Sequence, residues 1–166
     1  MNVHFSAEKR LVLRVLGYWQ LVRNLRQYPS FSEIDPAALG DDWAQCGLLR
    51  WDASAEDFRF AAIGAGIDLP GKPLTGRTAA ECPPDCLPGY ALEDVERVLT
   101  KRVPVSFGGE RTQDDRVVLY RSIMLPLGGD DETIDGLLIG VNCKVVPEPG
   151  SAGELPAPDL ITRSQP

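Results

Sequence analysis

The last third of the chain reads as three consecutive β-strands, which leaves few folds open to it. Over residues 134–146, apolar side chains alternate with small or polar ones, a period of two that is typical of a strand with one buried face. The residues predicted to face the core are Leu137, Ile139, Val141, Cys143 and Val145. Two further strands are predicted over 103–107 and 116–127, with glycine pairs at 108–109 and 128–129 as loops. Three strands with no helix between them favour antiparallel pairing.

The middle of the chain adds two more strands and several short helices. Residues 46–51 and 58–63 predict a β-hairpin, and residues 35–40 predict a short capped helix. Glycine and proline are so frequent over 64–88 that only short helical turns fit, whereas 91–102 predict a helix with one apolar face. We therefore predict an α+β fold: a five-stranded antiparallel sheet with short helices on one side and a long N-terminal helix.

Residues 7–27 predict that N-terminal helix, which is amphipathic. Its apolar positions recur at spacings of three and four and are Leu11, Val15, Tyr18, Trp19, Val22 and Leu25. Arg10 and Arg14 collect towards the opposite side. An apolar face this broad has to be covered by its own domain, by a second copy, or by both. We assign residues 1–29 to a helix that supplies a dimer or partner surface, and residues 30–146 to the domain proper.

Composition and charge exclude several classes of protein. A chain of 166 residues suits a single domain, and no apolar run approaches the roughly 20 residues of a membrane span. The first residues lack the pattern of a secretory signal, so we expect a cytoplasmic protein whose four cysteines stay reduced. The net charge is −7, although five cations and one anion lie before residue 31, and so acidic a body argues against nucleic-acid binding. Residues 147–166 are rich in proline and predict a flexible tail.

Six short segments, in this order along the chain, carry a family resemblance. They are residues 18–23 (YWQLVR), 34–36 (IDP), 58–64 (FRFAAIG), 74–77 (LTGR), 102–105 (RVPV) and 119–127 (LYRSIMLPL). Together they resemble a bacterial family of small PAS-domain proteins, found mainly in alphaproteobacteria, and the resemblance implies the PAS fold. The chain departs from the family pattern at 67–73, which is shorter and rich in proline beside the family's ligand cavity. It departs again at Arg121, where the family carries an acidic residue.

No combination of residues predicts catalysis, a metal site or a bound cofactor. The single histidine, His4, lies outside the predicted core, and Cys143 on an apolar strand face predicts a small buried side chain. Cys82 and Cys86 are separated by three residues, which matches neither the two-residue redox spacing nor a four-ligand metal site, so we predict a solvent-facing loop. The acidic run at 130–132 predicts a solvated hairpin tip.

Two functions fit these observations. The first is a non-catalytic PAS-domain regulator of bacterial signalling that works through protein contacts, because no output domain is evident in the chain. Its partners would be a second copy of itself and a signalling protein such as a histidine kinase. The second is a PAS sensor with a small molecule in a core cavity. The residues predicted to line that cavity are Phe60, Leu99, Phe107, Ile123 and Ile139.

Overall fold

The computed structural model describes residues 3–146, with side chains from residue 10 onward. One antiparallel sheet has the strand order β2-β1-β5-β4-β3. The strands are β1 (Cys46–Asp52), β2 (Asp57–Ile63), β3 (Val105–Gln113), β4 (Arg116–Leu127) and β5 (Gly136–Val146). The α-helices are α1 (Val3–Arg23), α2 (Pro36–Leu39), α3 (Leu87–Leu92) and α4 (Val95–Lys101). Single 3-10 turns occupy Phe31–Glu33, Gly40–Gln45 and Ala79–Glu81. The predicted class and sheet are confirmed, and the predicted tail at 147–166 lies outside the described residues.

Both faces of the sheet are covered. The α3 face packs against α3, α4 and the turns that precede them, and the α1 face packs against α1 and α2. The central strand β5 shows this directly, because Ile139 is buried on the α3 face and the adjacent Leu138 is buried on the α1 face. The predicted strand had a single buried face. The structure adds a second one because α1 covers the side left open by the alternation.

Helix α1 ends four residues earlier than predicted. It stops at Arg23, since Asn24 has a positive φ of 57°. Asparagine is one of the few residues that adopts this left-handed conformation readily, and it commonly terminates helices. Leu25 therefore lies beyond the helix, and the stripe predicted to run from residue 11 to residue 25 is interrupted before its last member.

The loop predicted at Gly108 and Gly109 is wrong, because both glycines lie inside β3. Gly109 pairs with Tyr120 of β4 in the antiparallel ladder. A Cβ atom at Gly109 would lie 2.9 Å from the Tyr120 hydroxyl, so a larger residue would collide with the ring that packs over it. Here glycine marks a close approach within the sheet and not a turn.

The helix predicted over 91–102 is two helices. The backbone at Asp94 leaves the helical region, with φ −95° and ψ 9°, between α3 and α4. The hairpin of β1 and β2 and the short helix α2 are confirmed. In α2, the Asp35 carboxylate accepts a hydrogen bond of 3.0 Å from the Ala37 amide, and Pro36 occupies the first turn.

Candidate functional site

One face of α1 belongs to the core of the domain. Leu11, Val15 and Trp19 are each at most 3% exposed and pack against the α1 face of the sheet. The Trp19 indole Nε1 also donates a 2.8 Å hydrogen bond to the carbonyl oxygen of Pro126 in β4. The prediction that these three residues form a partner surface therefore needs correcting. Their apolar character is explained by contact with the sheet of the same chain.

The opposite face of α1 carries a second apolar stripe, which the sequence pattern did not single out. Leu13 is 55% exposed and Leu21 is 78% exposed. Gly17 lies midway between them, and a Cβ atom placed there would meet nothing within 4 Å. A spacing of four residues puts all three on one side of the helix. We call Leu13, Gly17 and Leu21 the outer stripe.

The other three residues predicted to form the partner surface differ in how far they are buried. Tyr18 is half-buried, and its hydroxyl accepts a 2.8 Å hydrogen bond from the Asp35 amide. Val22 is half-buried, and Leu25, 95% exposed, stands just past the end of the helix. Only Leu25, of the six, is an exposed apolar side chain.

Polar groups flank the outer stripe. Arg10 is exposed, and Arg14 forms an ion pair with Asp42 at 2.8 Å. The Asp42 carboxylate, acting mainly through this hydrogen bond, raises the pKa of Arg14. This cation is therefore tied back to the domain through Asp42.

The five predicted cavity residues do not surround one space. Phe60, Leu99 and Ile139 lie on the α3 face, where Phe60 and Ile139 are fully buried. Ile123 lies on the opposite α1 face, and Phe107 is 39% exposed. Side chains alternate between the two faces along a strand, so adjacent positions on β4 and β5 point to opposite sides of the sheet. A small-molecule cavity on the α3 face stays a prediction.

An aromatic cluster fills part of the α3 face. The Tyr90 and Tyr120 rings lie 4.9 Å apart, and the Arg111 guanidinium lies 5.2 Å from the centre of each ring. Arg111 Nη2 also donates to Glu93 Oε1 at 2.6 Å. The two rings therefore pack against the Arg111 cation, whose charge is balanced by Glu93. No local pattern predicts this cluster, because its members come from α3 and the residue after it, from β3 and from β4.

An open groove of about 310 Å³ runs along the β1–β2 hairpin. Its lining includes Trp51, Asp52 and Arg59, and the two charged groups form an ion pair at 2.7 Å. The Ser54 hydroxyl, and then the Arg59 guanidinium, lower the pKa of Asp52 to about 2. Asp52 is therefore an anion that is already paired with Arg59 within the hairpin.

The acidic run at 130–132 forms a hydrogen-bonded turn. Asp130 accepts hydrogen bonds from the amides of Glu132 and Thr133, and Asp131 accepts one from the Gln27 amide. Hydrogen bonds thus hold the acidic run in this turn and connect the turn to the segment after α1.

Over the part of the chain that is described, no group of three or more acidic, histidine or cysteine side chains could hold a metal ion.

The prediction that the cysteine loop faces solvent is wrong. Cys82 is only 8% exposed and packs against the α3-face core, while Cys86 is half-buried. The apolar residues around the loop account for the burial of the thiols, since a thiol packs as a small apolar group.

Within residues 3–146 no helix is both long and apolar enough to cross a membrane.

Comparison with known proteins agrees with this architecture. The sequence profile of the PAS domain family matches residues 8–141, which includes most of α1 as well as the sheet. A solved fungal LOV domain photoreceptor is similar at 16% identity, with 81% of this chain and 89% of that chain covered and a TM-score of 0.39. No curated protein matches. Because the profile spans most of the sequence, the chain belongs to the PAS domain family.

Proposed function

We propose that this PAS domain is a non-catalytic signalling domain that acts by protein contact, and that the contact is a homodimer formed through the outer stripe of α1. PAS domains are generally sensor modules without catalytic activity. The observation that carries the proposal is the exposure of Leu13 and Leu21 on a helix whose other face is already buried. Two exposed leucines on one helix face, with the bare Gly17 between them, form an apolar surface that a partner could cover.

The arrangement of the stripe favours a second copy as the partner. A two-fold axis at Gly17 would place Leu13 of one helix beside Leu21 of an antiparallel partner, because the two leucines are equally distant from the glycine. The open space at Gly17 would let the helices approach closely, since their separation depends on the side chains at the crossing. The same axis would place Arg14 opposite an uncharged glutamine, so like charges do not meet.

The wider proposal is a role in a bacterial signalling pathway. The dimer would bind a further signalling protein, such as a histidine kinase, and would work in the cytoplasm. Small-molecule control of that contact through the α3 face is compatible with the dimer but rests on the sequence resemblance alone.

Charge placed on the outer stripe tests the dimer. The double variant Leu13→Glu/Leu21→Glu should have the mass of a monomer by size-exclusion chromatography with light scattering, while the unmodified protein has the mass of a dimer. Each introduced carboxylate would face the carboxylate at the other substituted position of the partner copy, so charge repulsion adds to the lost apolar contact. Both side chains are exposed in the monomer, so the fold should persist.

Val145→Glu is the matched control, because Val145 is 46% exposed and lies on β5, away from α1. It should keep the dimer mass. A monomeric mass for the unmodified protein at all concentrations, or an unchanged mass for the double variant, would remove the support for the proposal.

A further inference from the structure

The cysteine loop holds two thiols next to each other. The Sγ atoms of Cys82 and Cys86 lie 3.8 Å apart, and both are free thiols. A disulfide needs about 2.05 Å between the sulfurs, so an approach of about 2 Å would join them. The pair is independent of the outer stripe, because it lies on the α3 side of the sheet.

The backbone fixes the two cysteines in this relation. Cys82 ends the turn at Ala79–Glu81, with its amide bonded to the Ala79 carbonyl, and Cys86 precedes the first turn of α3. The intervening residues include two prolines, whose φ angles are fixed by their rings. The loop is therefore held at both ends and stiff in the middle.

Contacts with α3 and β3 also hold the loop in place. Gly89 of α3 lies directly against it, since a Cβ atom at Gly89 would be only 2.2 Å from the Pro83 carbonyl oxygen. Gln113 Nε2 of β3 donates to the Asp85 carbonyl at 2.7 Å. The thiols are thus brought together before any reaction, which lowers the entropic cost of closing a bond between them.

The two thiols differ in access and in acidity. Cys86 is half-buried while Cys82 is nearly enclosed by core residues. The hydrogen bond with the Cys82 thiol, and then the one from the Gly89 amide, lower the pKa of Cys86 to about 7 against the effect of burial. The same hydrogen bond, together with burial, raises the pKa of Cys82. The more accessible sulfur is therefore the more acidic one, and the thiolate is the reactive form of cysteine.

We propose that Cys82 and Cys86 form a thiol–disulfide exchange site that low-molecular-weight disulfides oxidise. The Cys86 thiolate attacks one sulfur of the small disulfide, forms a mixed disulfide with it and releases one thiolate. Cys82 then loses its proton, and its sulfur attacks the Cys86 sulfur, which closes the internal disulfide and releases the second small thiol. The protein loses two electrons and two protons, and the small disulfide is reduced to two thiols.

Peptide mapping of the unmodified protein tests this without any substitution. Trypsin should release residues 78–97 as one peptide that contains both cysteines and no other, because the nearest basic residues are Arg77 and Arg97. After incubation with oxidised glutathione, this peptide should lose two hydrogen atoms in mass, and a reductant should restore them. A peptide that stays fully reduced in excess oxidised glutathione would overturn the proposal.

Single substitutions test the order of the steps. Cys82→Ser should stop at the mixed disulfide and accumulate one glutathione on Cys86, whereas Cys86→Ser should leave the buried Cys82 unmodified. Cys143→Ser is the control and should form the internal disulfide as the unmodified protein does. Glutathione on Cys82 in the Cys86→Ser variant, at the rate seen for Cys86, would contradict the assigned roles.

The acidity of Cys86 gives a second readout. Its alkylation by iodoacetamide in the reduced protein should speed up between pH 6 and pH 8, because the thiolate fraction rises through a pKa of about 7. Removing the neighbouring donor in Cys82→Ala should slow the alkylation at pH 7 by roughly fivefold to tenfold, since the pKa returns towards about 8.5. Equal rates in the two proteins at pH 7 would show that the thiols do not interact.

Discussion

Trp19→Ala should lower the free energy of unfolding by about 3–5 kcal/mol in urea denaturation, the range for truncating a large buried aromatic side chain. The indole is 3% exposed and packs between α1 and the sheet. The substitution also leaves the buried Pro126 carbonyl without its 2.8 Å donor. The Arg23 guanidinium, 5.1 Å from the indole ring, loses its aromatic neighbour as well.

Gln20→Ala is the matched control for this measurement. Gln20 neighbours Trp19 on α1 but is exposed, so its truncation should change the stability by no more than about 0.5 kcal/mol. Both variants should be measured at a concentration at which the protein is monomeric, because self-association adds a concentration-dependent stability. A loss of under about 1 kcal/mol for Trp19→Ala would mean that α1 is only loosely attached to the sheet.

This result bears on how α1 can be studied. Its buried residues Leu11, Val15 and Trp19 are part of the sheet's covering, so deleting residues 1–29 would expose the α1 face of the core. Such a deletion would unfold the domain as well as remove the dimer contact, and it cannot separate the two effects. Point substitutions on the outer stripe can.

Phe60→Ala should also cost about 3–5 kcal/mol, because the ring is 1% exposed among the residues of the α3-face core. The prediction distinguishes a packed core from a cavity. A ring that lines a large empty space makes fewer contacts, so its removal would be less costly.

Phe107→Ala removes the same atoms from a side chain that is 39% exposed, and it should cost no more than about 1 kcal/mol. The two losses are compared in the same urea series. Similar losses for the two substitutions would contradict close packing at Phe60. They would instead favour the alternative function, with a small molecule bound on the α3 face.

Much of the fold follows from local patterns. The strand over Leu137 to Val145, the hairpin, and the Asp35 and Pro36 start of α2 are determined by neighbours along the chain, and each element is confirmed. The burial predicted for Val145 is wrong, because its side chain is 46% exposed near the end of β5. The errors arise where distant residues decide. Gly109 lies in a strand because of the Tyr120 ring on β4.

The candidate site was harder to predict than the fold, because helical periodicity identifies an apolar stripe but not what covers it. Leu11, Val15 and Trp19 formed the stronger pattern and were covered by the sheet. Leu13 and Leu21 formed a weaker pattern, interrupted by glycine, and were left exposed. The thiol pair was missed for a similar reason, since sequence spacing does not report the distance between two sulfurs across a proline turn.

The central claim is that α1 contacts its own sheet with one face and a second copy with the other. It is tested most directly by leucine methyl NMR spectra recorded over a dilution series. The account predicts that the methyl signals of Leu13 and Leu21 change as the dimer dissociates, while those of the buried Leu11 and Leu125 stay constant. Dissociation that leaves the Leu13 and Leu21 signals unchanged would contradict it.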